Sequence, residues 1–301
     1  MTDNNTRIAK FHLPGLFEFY DFYREFLPLF YNHGEYFYEW VKIDSIYGAP
    51  SECVWGGGRV GTGDANPNEV LELLSRYEIG AELTFSNSLL EKEHLNDEKC
   101  NALCALFDQG KRNGAVVFSE ILLEDLKTKY PNLYLTSSTT KVLTDFEDFK
   151  RELEREDFRF AVADFRLNKA FEKLYSLPQN LKDKTEFLVN ECCFFGCKDR
   201  RECYEFVSRR ILDENCPDFV CKSPGATEGY KFSKAMQNPA FISVDDIQNK
   251  YLSNGFSHFK IEGRELGSAV LLEFILHYMV KPQYALNVRE ELYLDSMLNL
   301  L

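Results

Sequence analysis

The chain is poor in several things, and each shortage removes a class of function. It has 35 lysines and arginines against 48 aspartates and glutamates, a formal net charge of −13 over 301 residues. A general electrostatic grip on nucleic acid needs a basic face, so no general nucleic-acid binding is expected. No run of about eighteen apolar residues occurs; the nearest, SAVLLEFILHYMV, is shorter and holds Glu273 and His277, which excludes an obvious spanning helix. The opening MTDNNTRIAK carries no apolar segment of the signal-peptide kind, and a soluble, cytoplasmic protein is the expectation. Histidine is scarce, five in all, and His12, His33, His94 and His277 show no catalytic spacing; no GxSxG elbow is present. Nor do paired CxxC knuckles of a zinc ribbon occur.

Aromatic residues, by contrast, are abundant: 26 Phe and 16 Tyr within a 45% hydrophobic chain. That supply is enough for a large core and argues against disorder. Short apolar, β-branched runs alternate with longer amphipathic ones. Strands are predicted at WVKIDSI from Trp40, IGAELTFS from Ile79, GAVVFSE from Gly114, NLYLTSS from Asn132, FRFAVAD from Phe158, TEFLVNE from Thr185, AFISV from Ala240 and SHFKIEG from Ser257. Helical patterns lie between them; PNEVLELLSRY starts on Pro67 and EKCNALCALFDQG ends on Gly110, as helix starts and stops do. Eight strand signals alternating with helices over about 250 residues point to a (β/α)8 TIM-barrel-like single domain of the α/β class, with an open doubly wound sheet as the competitor. The barrel is placed at 39–282. A helical extension at 1–38 carries the aromatic LFEFYDFYREFLPLFY, and a C-terminal helix at 283–301 carries ELYLDSMLNLL. Either terminal helix is a candidate interface for a protein partner.

Barrel chemistry sits on the loops that follow the strands. Three unusual sequences occupy such places. In NECCFFGCKDRRECYEF, from Asn190, four cysteines fall in seventeen residues, with Cys216 and Cys221 close behind. Cys193 and Cys197 are separated by three residues, Cys203 follows six positions later and Cys221 eighteen beyond it. Four thiolates in one loop suit a 4Fe-4S cluster or a tetrahedral zinc. The cluster is preferred and structural zinc is the alternative; the odd count of nine cysteines disfavours a closed disulfide framework. Cys192 is assigned to packing, and Cys216 and Cys53 compete for a ligand position. The plain alternative, buried cysteine as a small hydrophobe, suits Cys100 and Cys104, four apart on a helix.

The second sequence is GGGRVGTG, from Gly56. It satisfies GxGxxG formally but does not open a helix directly after a strand, as a dinucleotide site requires. Gly57, Gly58 and Arg59 instead suggest a loop that offers backbone N–H groups and one cation to an anionic ligand, or a wide turn. The third is HFKIEGRE, from His258, in which Lys260, Glu262 and Arg264 alternate and so share a face. Charges in a barrel mouth are costly unless they pair or bind something. Either a ligand-holding cation or a structural ion pair fits, and the three are the candidate catalytic residues. Glu82, Asp164 and Arg166 are weaker candidates.

The KIEGR strand, following a cysteine-bearing loop and a FISVDDI segment, resembles the collagenase-like peptidase family U32. The pattern of Asn190, Cys193, Cys197, Arg200, Arg201 and Tyr204 is similar to a bacterial subgroup of it. The resemblance covers roughly residues 40 to 265. It implies a TIM-barrel-like catalytic domain and, in its oxygen-independent hydroxylase-like branch, a 4Fe-4S cluster on four cysteines acting on RNA bases or a quinone precursor, with prephenate as a hydroxyl source in some members. Cys203 stands where that subgroup is expected to carry His, and LVNECCFFGC replaces the family's glycine- and serine-rich signature. The expected function is thus cluster-dependent, oxygen-independent hydroxylation or a related modification of a small anionic, modified-base or peptide substrate. The alternatives are a metal-dependent peptidase and a non-enzymatic, zinc-stabilised partner subunit.

Overall fold

The computed structural model describes residues 7–58, 63–213 and 216–298. Eight parallel strands close into a barrel in sequence order: β1 (Ala9–Pro14), β2 (Val41–Gly48), β3 (Gly80–Phe85), β4 (Gly114–Val117), β5 (Tyr134–Ser137), β6 (Phe160–Ala163), β7 (Thr185–Leu188) and β8 (His258–Lys260). Closure is made by β8, which pairs with β7 on one side and with β1 on the other. This is the (β/α)8 architecture expected from the strand–helix alternation.

The eight strands are not the eight predicted, however. AFISV is not a strand; its chain leads into the capped helical turn Val244–Asp246. Its place is taken by Ala9–Pro14, AKFHLP, inside the stretch expected to be a helical extension. The aromatic run after it does form a helix, Tyr20–Asn32, which buries Tyr23, Phe26, Leu27 and Leu29. This helix packs against the C-terminal helix Ala285–Leu298.

The strands are buried on both faces apart from positions in the first halves of β1, β2 and β5, as in parallel barrels. Outward residues such as Phe11, Leu83, Val117 and Phe187 pack into the apolar layer under the helices. The inward set is different. His12, Ser45, Glu82, Thr136, Glu186, His258 and Lys260 are all buried, and they give the barrel a polar interior. No helix among the described residues is long and apolar enough to cross a membrane.

Candidate functional site

The site is built on the ends of β2, β3, β7 and β8. Inside the barrel, Lys260 Nζ donates to Glu186 Oε1 at 2.9 Å and lies 3.7 Å from Glu82 Oε2. Its ammonium also rests 3.9 Å from the centre of the Tyr47 ring, a favourable cation–π arrangement. Glu82 Oε1 accepts from Thr136 Oγ1 at 2.6 Å. Below them His12 bridges Ser45 Oγ at 2.7 Å and His258 Nδ1 at 3.0 Å, with its Nε2 3.6 Å from Glu186 Oε2.

The two carboxyls respond oppositely to the same burial. For Glu82, desolvation outweighs the attraction of Lys260 and raises its pKa above the ordinary value. For Glu186, desolvation is overcome by His12 and Lys260, and its carboxyl is held low. Burial, with His12 alongside, keeps His258 well below the usual imidazole range and hence neutral.

Above this layer Lys260, Glu262 and Arg264 line one cavity of about 70 Å³ together with Tyr47, Thr84 and Ser138. The alternation read from HFKIEGRE therefore does bring all three to one mouth. Lys260 pairs with Glu186 on the neighbouring strand β7. Arg264 donates to Thr84 Oγ1 at 2.8 Å and to the Gly57 carbonyl at 3.3 Å. That carbonyl is presented by a loop seated directly on the chain after β3. A Cβ on Gly57 would lie 2.3 Å from the Ser86 carbonyl carbon, so only glycine fits. Gly58, at φ +71°, lines the same cavity. Arg59 lies outside the described residues.

The cysteine loop is fixed to the same mouth. Asn190, just past β7, bonds both backbone groups of Glu262: its Nδ2 donates to the carbonyl at 2.9 Å and its Oδ1 accepts from the N–H at 2.8 Å. Glu191 Oε1 accepts from Cys193 N–H at 2.9 Å, and Glu191 Oε2 pairs with Arg200 at 2.5 Å in a buried salt bridge. Asn238 Nδ2 donates to the Cys193 carbonyl at 2.8 Å, and Arg166 Nη1 to the Cys197 carbonyl at 2.9 Å. Arg166 is itself clamped by two bonds to Asp164. These two residues, weak catalytic candidates by sequence, hold the loop instead.

So tied, Cys192, Cys193, Cys197, Cys203 and Cys221 all line one cavity of about 290 Å³. Cys216 lines a neighbouring hollow that shares Asp199 and Phe219 with this cavity. Cys53 is buried with its sulfur 3.3 Å from that of Cys100. Neither competitor for a ligand position is among the residues lining this cavity, while Cys192, assigned to packing, is. None of the nine cysteines forms a disulfide. The thiol cavity and the mouth cavity share Gly58, Arg200 and Tyr204 as walls.

The interior residues His12, Glu186, Thr136 and His258 were not singled out as functional from the sequence. A signal was available in TEFLVNE: Glu186 is a charge at an alternating position of an otherwise apolar strand, which a barrel interior has to accommodate.

The chain is similar in fold to the solved structure of the U32 peptidase Mk0906, with a TM-score of 0.50, 13% sequence identity, and coverage of 87% of this chain and 95% of that one. At that identity the likeness shows the fold alone. No family model matches the sequence. No curated protein matches it either.

Proposed function

We propose that this barrel carries a thiolate-held metal centre beside a cationic ligand pocket, and that it modifies a small anionic substrate by oxygen-independent chemistry. The observation that carries the reading is the shared wall: Gly58, Arg200 and Tyr204 border both the thiol cavity and the mouth. The two cavities are therefore immediate neighbours.

Cys193, Cys197, Cys203 and Cys221 would hold the centre, with Cys192 a fifth thiol on the same wall. An all-thiolate donor set suits a 4Fe-4S cluster or zinc and disfavours hard cations. When bound, a 4Fe-4S cluster supplies one-electron transfer. The remaining work falls to the chain. Arg264, with the Thr84 and Ser138 hydroxyls beside it, is placed to hold a carboxylate or phosphate. Lys260, fixed by Glu186, presents its ammonium at the floor. The Asn190 side chain fixes the Glu262 backbone just past β8.

Peptide hydrolysis is the second reading, supported by the likeness in fold to a U32 peptidase. A site closed by four cysteine ligands has no open position for water, which places it second. Peptide cleavage lost in Glu262→Gln would promote it.

The test titrates succinate, as a dicarboxylate probe, into metal-loaded protein purified without oxygen. Binding seen by calorimetry, weakened at least tenfold by Arg264→Met, together with a changed absorption or paramagnetic spectrum of the metal centre, is the expected result. Succinate binding that leaves the metal spectrum untouched contradicts a working connection between the two cavities.

A further inference from the structure

The barrel interior sets two buried carboxyls around a single ammonium. Glu82 and Glu186 are fully buried, from β3 and β7, and one ammonium, Lys260, lies between them. The other groups facing this cluster are His12 from β1, Tyr47 from β2, the Thr136 hydroxyl and the Tyr134 phenol from β5, Arg159 before β6 and His258 on β8. Asp44 lies at the lower end, beside His12 and His258. Two carboxylates share the one ammonium between them, and burying charge in excess of its partner is expensive unless a further proton joins the cluster.

One added proton removes that charge, and the geometry says where it resides. Glu186 receives a direct hydrogen bond from Lys260 at 2.9 Å and has His12 at 3.6 Å. Glu82 is 3.7 Å from the same ammonium and is otherwise bonded only through Oε1, to Thr136. Oε2 of Glu186 and Oε2 of Glu82 are both buried without a hydrogen-bond partner among the described residues, but Glu82 also lacks the direct bond from Lys260. A neutral carboxyl with its proton on Oε2 suits that position better than a carboxylate does. His12, Glu82 and Glu186 also bring their ligand atoms within 4.8 Å of one another, a spacing that a metal could use. The Lys260 ammonium already stands between the two carboxyls as their cation.

We propose that Glu82 is the proton store of the mouth, held protonated behind Lys260. Lys260 gives a proton from its ammonium to a ligand atom in the cavity, leaving a neutral amine. The Glu82 carboxyl, 3.7 Å behind it, returns a proton to that amine and becomes the carboxylate that pairs with the restored ammonium. After product leaves, solvent entering the mouth recharges the store through Lys260. One proton moves at each step, and no oxidant or reductant is consumed. Burial raises the Glu82 pKa while His12 and Lys260 hold Glu186 low against it, in agreement with this division.

The role in catalysis rests on the mouth being the ligand site, but its test requires neither metal nor ligand and so fails separately. Infrared spectroscopy of the full chain at neutral pH is expected to show the C=O stretch of a buried protonated carboxyl, shifted by exchange into D2O. Glu82→Gln, nearly isosteric and still able to accept from Thr136, should remove that band; Glu186→Gln should leave it. Lys260→Met should add a second band, since Glu186 then loses its ammonium. Loss of the band in Glu186→Gln instead, no band in the wild type (which puts the spare proton on His12), or an unchanged spectrum in Lys260→Met would each overturn the proposal. Stoichiometric Mn2+ binding abolished by Glu82→Gln would overturn it too, replacing the proton with a metal.

Discussion

Asn190 holds both backbone groups of Glu262 through its side-chain amide, at 2.8 and 2.9 Å. Asn190 begins the cysteine loop and Glu262 lies two residues past the last strand, so one fully buried side chain fixes the thiol cavity to the ligand mouth. Asn190→Leu removes both bonds and leaves a buried N–H and C=O without partners, each costing about 1–3 kcal/mol. Urea unfolding is expected to show a loss of a few kcal/mol, and metal retention should fall with it.

The Glu191–Arg200 pair makes a second prediction. Both side chains are buried, and Glu191 also orients the Cys193 amide. Removing one charge of such a pair costs about 3–5 kcal/mol, whereas replacing both costs much less. Arg200→Met should therefore be markedly destabilised by urea unfolding, and Glu191→Gln with Arg200→Met should recover part of the loss. A single variant as stable as wild type would show that the pair is not a determinant of the loop.

Asp246 supplies a pH dependence. Burial opposes its charge, but hydrogen bonds from Lys169 and Lys250 and the Ser243 N–H prevail and hold its carboxyl well below the usual range. A depressed folded-state pKa gives stability that is complete above the unfolded value of about 4 and is lost as pH falls from there toward the folded value. Asp246→Asn should flatten that part of the stability–pH curve and leave the region above pH 5 parallel to wild type. Thermal denaturation between about pH 2 and 7 checks it.

The nine thiols should differ in reactivity. Burial pushes the Cys104 thiol far above its ordinary pKa, and the Cys53 contact together with burial does the same to Cys100. The thiolate is the nucleophile, so iodoacetamide applied to metal-free native protein should spare these two. Labelling should concentrate between Cys192 and Cys221, where all six residues are at least partly exposed. Peptide mapping by mass spectrometry reads the pattern directly.

Much of the barrel was legible because buried parallel strands and amphipathic helices differ in period and in β-branched content. GAVVFSE and PNEVLELLSRY could hardly be read otherwise. The exchange of AFISV for AKFHLP has a physical reason. AKFHLP carries a histidine, a lysine and a proline, and its inward His12 is satisfied only by Ser45 and His258 on neighbouring strands, which no local pattern reveals. AFISV looks like a strand locally, but Ser243 caps a helical turn. At the site, spacing placed Lys260, Glu262 and Arg264 on one face. It could not show that Glu186 holds Lys260, because that contact spans 74 residues. Nor could it separate Cys221 from Cys216, five positions apart but on different hollows.

The account stands or falls on what the thiol cavity holds. Protein purified without oxygen and analysed for iron, sulfide and zinc is predicted to contain about four iron and four sulfide per chain, as a 4Fe-4S cluster requires, with both lost in Cys203→Ser and Cys221→Ser and retained in Cys216→Ser. Colourless protein holding one zinc per chain, or iron retained when Cys203 and Cys221 are replaced, would contradict it.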